Sequence, residues 1–144
     1  MLVAVVQGYN CPDDLYYTTD HAWVRVVNRN HVQMGLTDFT QKMASTLTFV
    51  KLPGLGDRTD PNVPIFSYQS AKWVGWVKPP AAGKISAVNA MLTEYPALVN
   101  QDPYGQGWVI EIELSEPLER VLARLMSGQA AADWLAGEIA KHGG

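Results

Sequence analysis

Ile65-Phe66-Ser67-Tyr68-Gln69-Ser70-Ala71-Lys72-Trp73-Val74-Gly75-Trp76-Val77-Lys78 is the stretch that decides the fold. Two short β-prone runs, Ile65 to Ser70 and Trp73 to Lys78, are separated only by Ala71 and Lys72. That spacing predicts a hairpin with a lysine at its tip. Pro79-Pro80 then stops strand pairing, because proline has no N–H to give to a ladder. Gly83 turns the chain into a further strand, Lys84 to Val88. A lone lysine reads as a solvated surface charge. Held between two strands, it becomes an amine offered at the end of a stem, which is what a covalent attachment point needs.

Outward from the hairpin, the first two-thirds of the chain read as short strands broken by turns. Ala22 to Val27 and Val32 to Leu36 flank Asn28-Arg29-Asn30, a hairpin turn in which asparagine tolerates positive φ. Asp38 to Ala44 is a short helix. Asp38 and Gln41 stand at capping-box spacing, and Phe39 and Met43 share a face at i,i+4. Thr46 to Leu52 is β-rich and ends at Pro53-Gly54, and a polar loop runs from Gly56 to Asn62. Glu94 to Val99 predicts a helical turn. In Trp108 to Leu114, Trp108, Ile110, Ile112 and Leu114 take one face and Glu111 and Glu113 the other. After Ser115 the pattern becomes helical. Leu118, Val121, Leu122 and Leu125 form one apolar stripe, and a helix from about Ala130 to Lys141 buries Trp134, Leu135 and Ile139. The fold class is mainly β with C-terminal helices.

At 144 residues the chain is one domain with room for a core. Apolar residues make up 47% and charged residues 17%, the range of a globular protein, and the formal charge is −3 with no basic stripe. Nucleic acid is therefore not an expected partner. Leu2 to Val6 is apolar, but it lacks preceding cations and is too short for a signal segment or a span. It reads as a short strand or an ordered arm, with no membrane role. Cys11 is the only cysteine. No internal disulfide can form, which suits a reducing cytoplasm, and Cys11 reads as an incidental free thiol.

Free-standing catalysis has little to stand on. His21, His31 and His142 sit in no catalytic motif, and one cysteine with scattered histidines supplies no metal ligand set. Gly54-Leu55-Gly56 lacks the later glycine of a phosphate loop. Glu111 and Glu113 are a solvated strand face. None of this counts against chemistry attached to a lysine.

Five segments in order then resemble the glycine cleavage system H-protein family of lipoyl carriers. Tyr17-Thr18, His21 and Trp23-Val24-Arg25 resemble the opening strand. Gly35-Leu36-Thr37-Asp38-Phe39 with Gln41 is similar to the family's Gly-Ile-Thr-Asp-Tyr-Ala-Gln. Val50, Leu52-Pro53 and Gly56 follow its Val-x-Leu-Pro-x-x-Gly. Ser70-x-Lys72 with Pro80 and Gly83 keeps its lipoyl-lysine spacing. Leu98-Val99-Asn100 with Asp102-Pro103-Tyr104-Gly105 and Gly107-Trp108 is nearly verbatim. The resemblance implies a lipoyl-domain barrel-sandwich hybrid (hammerhead) with flanking short helices. Residues 1–11 would be an N-terminal extension, 12–116 the lipoyl domain, and 117–144 C-terminal helices packed on it. Lipoic acid would be held in amide linkage on Lys72, with Gln69, Ser70, Ala71 and Trp73 as flanking recognition residues. Acylation removes the lysine's charge, and the dithiolane it brings can be reduced or form a mixed disulfide. A biotinyl carrier shares the fold and the lysine, but Ala71 and Trp73 replace its usual methionines.

The chain also departs from the family. Gln69 stands for a glutamate before the serine, Ala22 for a glutamate before the opening tryptophan, Trp76 for a common aspartate, and Met43 for a frequent histidine. In the family, polar groups near the arm help to hold an amine cargo, which carboxylates favour. Their loss leads to the expectation that the arm carries sulfur intermediates and electrons in cytoplasmic sulfur oxidation. It would then serve a heterodisulfide-reductase-like complex and a dihydrolipoyl dehydrogenase after loading by a lipoate ligase or lipoyl transferase. The alternative is a glycine cleavage H protein carrying the aminomethyl group between glycine decarboxylase and aminomethyltransferase. A second alternative is a lipoyl relay or unmodified scaffold. The first two make the chain a carrier subunit of a multi-enzyme system, and none makes it an enzyme. Trp73 and Trp76 on a regular strand would face opposite sides, so at most one is expected to point inward.

Overall fold

The computed structural model describes residues 3–142. Strand β1 (Val3–Val6) pairs with β2 (Tyr9–Pro12) as a separate hairpin. Strands β3 (Tyr16–Tyr17), β4 (Ala22–Asn28) and β5 (His31–Leu36) lead into helix α1 (Asp38–Ala44). Next come β6 (Leu47–Lys51), β7 (Arg58–Thr59), β8 (Phe66–Ser70), β9 (Val74–Val77) and β10 (Gly83–Val88). Helical turns α2 (Met91–Glu94) and α3 (Leu98–Gln101) precede β11 (Ile110–Leu114), and α4 (Leu118–Ala123) and α5 (Gly128–Lys141) close the chain.

These strands build an antiparallel six-stranded sheet, β3-β4-β5-β11-β10-β7, and an antiparallel three-stranded sheet, β6-β8-β9. The main core joins them. Val24, Val32, Met34, Leu36, Ile110 and Ile112 from the larger sheet meet Val50, Phe66, Tyr68 and Val77 from the smaller. Alternation in β11 works as the sequence requires, with Ile110, Ile112 and Leu114 buried and Glu111 and Glu113 half-exposed. Each fully buried side chain of this kind contributes about 1.5–3 kcal/mol. Asn100 ties the small sheet to α1. Its Oδ1 accepts from the Leu47 N–H at 2.9 Å, and its Nδ2 donates to the Ser45 carbonyl at 2.8 Å.

A second cluster gathers Cys11, Leu15, Tyr17, Trp23, Phe39, Ala131, Leu135 and Ile139. The N-terminal hairpin and α5 thus share one apolar patch with α1. The hairpin is pinned by polar contacts: the Asn10 N–H donates to Asp38 Oδ2 at 2.9 Å, and the Tyr104 hydroxyl donates to the Asn10 carbonyl at 2.6 Å. Burial pushes the Asp38 carboxyl up, but bonds from Asn10, Gln41 and Lys42 outweigh it and hold the group below its ordinary range. The strand expected over 2–6 is therefore present at 3–6, and residues 1 and 2 lie outside the described ones. No described helix is long and apolar enough to cross a membrane.

Three local expectations shift. The helix cap is Thr37, whose Oγ1 accepts the Thr40 N–H at 3.2 Å, while Asp38 bonds the Gln41 side chain at 2.8 Å. The capping oxygen sits one residue earlier because Asp38 is already in the first helical turn. The single turn expected over 94–99 is two turns, α2 and α3, separated around Pro96, where proline has no N–H to continue a helix. The polar loop from Gly56 contains β7, a two-residue strand too short to leave a periodic signal and set by pairing with β10.

Candidate functional site

The arm-bearing hairpin is β8–β9, in register Phe66↔Val77, Ser67↔Trp76, Tyr68↔Gly75 and Gln69↔Val74. Gly75 makes room for the Tyr68 ring, which lies across it: a Cβ there would overlap the ring unless it shifted. The ladder closes where the Ser70 N–H donates to the Trp73 carbonyl at 2.8 Å. Beyond that bond Ala71 and Lys72 form the tip, and both are exposed. The Lys72 N–H reaches back to Ser70 Oγ at 3.4 Å. Among the described residues, no acceptor or carboxylate engages the Lys72 amine.

Of the sequence-chosen neighbours, Gln69, Ala71 and Trp73 are exposed, whereas Ser70 is buried and turns its hydroxyl to the tip backbone. Trp73 and Trp76 are both exposed, at 45% and 63%, so neither is a core residue, in keeping with at most one pointing inward. The two open onto different hollows, Trp73 beside Tyr68 and Trp76 beside Ser67, as their odd spacing along the chain requires.

A cavity of about 60 Å³ lies beside the tip, lined by His21, Phe39, Thr40, Met43, Tyr68, Trp73 and His142. Four separate stretches of chain supply these walls, and none of the lining residues is a carboxylate. His21 is its best-fixed wall. Its ring stacks between Phe39 and Trp134, at centroid distances of 4.8 and 4.5 Å. Its Nε2 meets Glu138 Oε1 at 2.9 Å, and its carbonyl accepts the Thr40 hydroxyl at 2.8 Å. The backbone is left-handed at φ 60, an uncommon conformation for a non-glycine residue, and these bonds hold it. Burial pushes the His21 imidazole below its ordinary value against the opposing pull of Glu138. Burial raises the Glu138 carboxyl, but hydrogen bonds from His21 and Lys141 prevail and hold it low. Sequence reading passed over His21 as a site wall because its partner lies 117 residues away.

Comparison with known proteins fits this geometry. The family model for "Glycine cleavage H-protein" matches residues 15–138. The chain belongs to the glycine cleavage H-protein family. The match embraces the hairpin, both sheets and nearly all of α5, and leaves the β1–β2 hairpin outside. Among relatives of the H-protein family, "Glycine cleavage system H protein" of Salinibacter ruber is 41% identical over 122 residues, covering 85% of this chain and 96% of that protein. "Probable glycine cleavage system H protein 2" of Saccharolobus solfataricus is 35% identical over 138 residues, covering 92% of each. The crystal structure of a glycine cleavage system H protein from Mycobacterium marinum superposes with a TM-score of 0.76 at 27% identity, covering 88% of this chain and 99% of that one. The barrel-sandwich architecture is thus the H-protein one. These names speak for glycine cleavage, and none of them supports sulfur oxidation.

Proposed function

We propose that this chain is a lipoyl carrier of a cytoplasmic glycine-cleaving system, with Lys72 as the attachment residue. Its partners are then glycine decarboxylase, aminomethyltransferase and dihydrolipoyl dehydrogenase, after loading by a lipoate ligase or lipoyl transferase. The observation that carries this reading is the placement of Lys72, an exposed amine on a two-residue tip of a stiff hairpin, in a chain of this family. A free amine with no competing partner is what amide formation needs. Lipoate on that amine would supply a reducible disulfide able to hold cargo between enzymes.

The chain's own residues present and aim the arm. The Tyr68–Gly75 pair stiffens the stem, and the Ser70 bonds fix the turn. Gln69, Ala71 and Trp73 offer the surface that a loading enzyme reads. Tethering to Lys72 raises the effective concentration of cargo near a docked enzyme. The test is glycine-dependent turnover by glycine decarboxylase and aminomethyltransferase from the same cells, with the lipoylated chain as sole carrier. Turnover that vanishes with Lys72→Arg supports the proposal, and no turnover with the fully lipoylated chain refutes it. One observation favours a second reading, in which the arm carries sulfur intermediates: no carboxylate lines the cavity beside the tip. Failure with glycine together with loading by a persulfide donor would select it.

A further inference from the structure

The outer face of the β6-β8-β9 sheet carries an apolar surface that the fold does not use. In register, Phe49, Gln69 and Val74 form one row across the strands, and Lys51, Ser67 and Trp76 the next. Phe49 is 50% exposed, Val74 48% and Trp76 63%. Trp76 also walls a groove of about 380 Å³ with Lys51, Asp57, Pro64, Ile65 and Ser67, in which the Asp57 carboxylate accepts the Gly54 N–H at 2.8 Å. Large exposed aromatics grouped on one face mark a contact surface, since leaving them in water gains nothing for the fold. We propose that this face, with Trp76 as its central anchor, is the docking surface for the enzyme that receives the arm of Lys72. This deepens the carrier function proposed above and rests on it.

Continuity identifies the occupant. Trp76 is four residues from Lys72 along the chain, so their backbones lie at most about 13 Å apart even at a fully extended rise of roughly 3.3 Å per residue. An enzyme that takes in a side chain from Lys72 lies against the same stem. Charge narrows the chemistry. The three strands contain no carboxylate, and Lys51 is their only charged residue; Lys72 at the tip and Lys78 just after β9 add two more cations, against the one carboxylate of Asp57 at the groove. The fitting partner surface is apolar at its centre, with acidic groups at its rim. A second copy of this chain is the poorer match, because a self-complementary pairing would bring these lysines together.

The experiment uses the lipoylated full chain, cognate aminomethyltransferase and cognate glycine decarboxylase. Trp76→Ser should raise KM for the carrier about 30-fold with at least one of them, the loss expected for a central tryptophan anchor. Its kcat should stay within about twofold, because the arm itself is unchanged. Phe49→Thr, an independent change on the same face, should act in the same direction. Lys72→Arg protein should inhibit wild-type turnover competitively, and the Trp76→Ser, Lys72→Arg double variant should not. Unchanged KM in both face variants, while wild-type carrier turns over, would overturn the docking surface and leave the carrier function standing. A dimer in sedimentation that Trp76→Ser dissolves would assign the face to a second copy and also overturn it. No turnover of lipoylated wild type by either enzyme would refute the carrier function itself.

Discussion

The two faces of the β8–β9 hairpin differ although one alternation makes both. Phe66, Tyr68 and Val77 point inward and are almost fully buried, joined to residues of the larger sheet. Val74 and Trp76 point outward and stay largely exposed. Burial of the inner set stabilises the fold. The outer set adds apolar area without burying it, so its reason has to lie in something the protein meets. The hairpin is thus a rigid stem on one side and a presentation surface on the other, with Lys72 at the end of both.

Substitutions should separate the two sides. The largest effect belongs to the tip: Lys72→Arg should abolish lipoylation completely while the melting temperature stays within about 1 °C, since Arg keeps the charge but lacks an acylatable primary amine. Mass spectrometry with a thermal melt checks this. Next comes the inner face, where Phe66→Ala should cost about 3–5 kcal/mol in urea denaturation. Trp76→Ser on the outer face should change stability by no more than about 0.5 kcal/mol. Equal losses at the two positions would erase the distinction.

Two glycines sharpen the comparison. Trp23 lies on Gly35 across β4–β5 as Tyr68 lies on Gly75 across β8–β9. Trp23 is completely buried, and its Nε1 donates to the Pro103 carbonyl at 2.8 Å, so it cannot give way. Tyr68 borders the cavity beside the tip, where it has room to move. Gly35→Ala should therefore cost more than Gly75→Ala, about 3 against about 1 kcal/mol. Gly75→Ala should also slow arm transfer, which Gly35→Ala in the surviving folded fraction should not. Denaturation curves and single-turnover assays measure the pair.

The smallest effect is one of pH. The folded-state imidazole of His21 lies below its ordinary 6.5. The unfolded chain therefore binds the proton first as pH falls, and stability present above that value is lost as pH drops through the folded one. Glu138, held below its ordinary 4.5, adds a loss in the same direction at lower pH. Urea midpoints should fall from about pH 7 to about pH 5, and His21→Asn, which tolerates the left-handed backbone, should flatten that fall.

Much of this was legible in the sequence because it is local. Alternation, Pro-Pro and the Ala71-Lys72 step placed the hairpin, and α1 runs over Asp38–Ala44 as its periodicity required. What escaped is held by distant partners. Asn10 bonds Asp38 across 28 residues and His21 bonds Glu138 across 117, and no short window reveals either. The pinning of the N-terminal hairpin and the cavity beside the tip depend on such contacts. The cargo expectation leaned on missing carboxylates, whereas family membership pointed to glycine cleavage.

The most direct test is the mass of the Lys72-containing peptide from protein purified from its own cells. A lipoyl amide on Lys72, with Lys51, Lys78 and Lys84 unmodified, is the result expected. Unmodified Lys72 in active cells, or lipoate on another lysine, would contradict it.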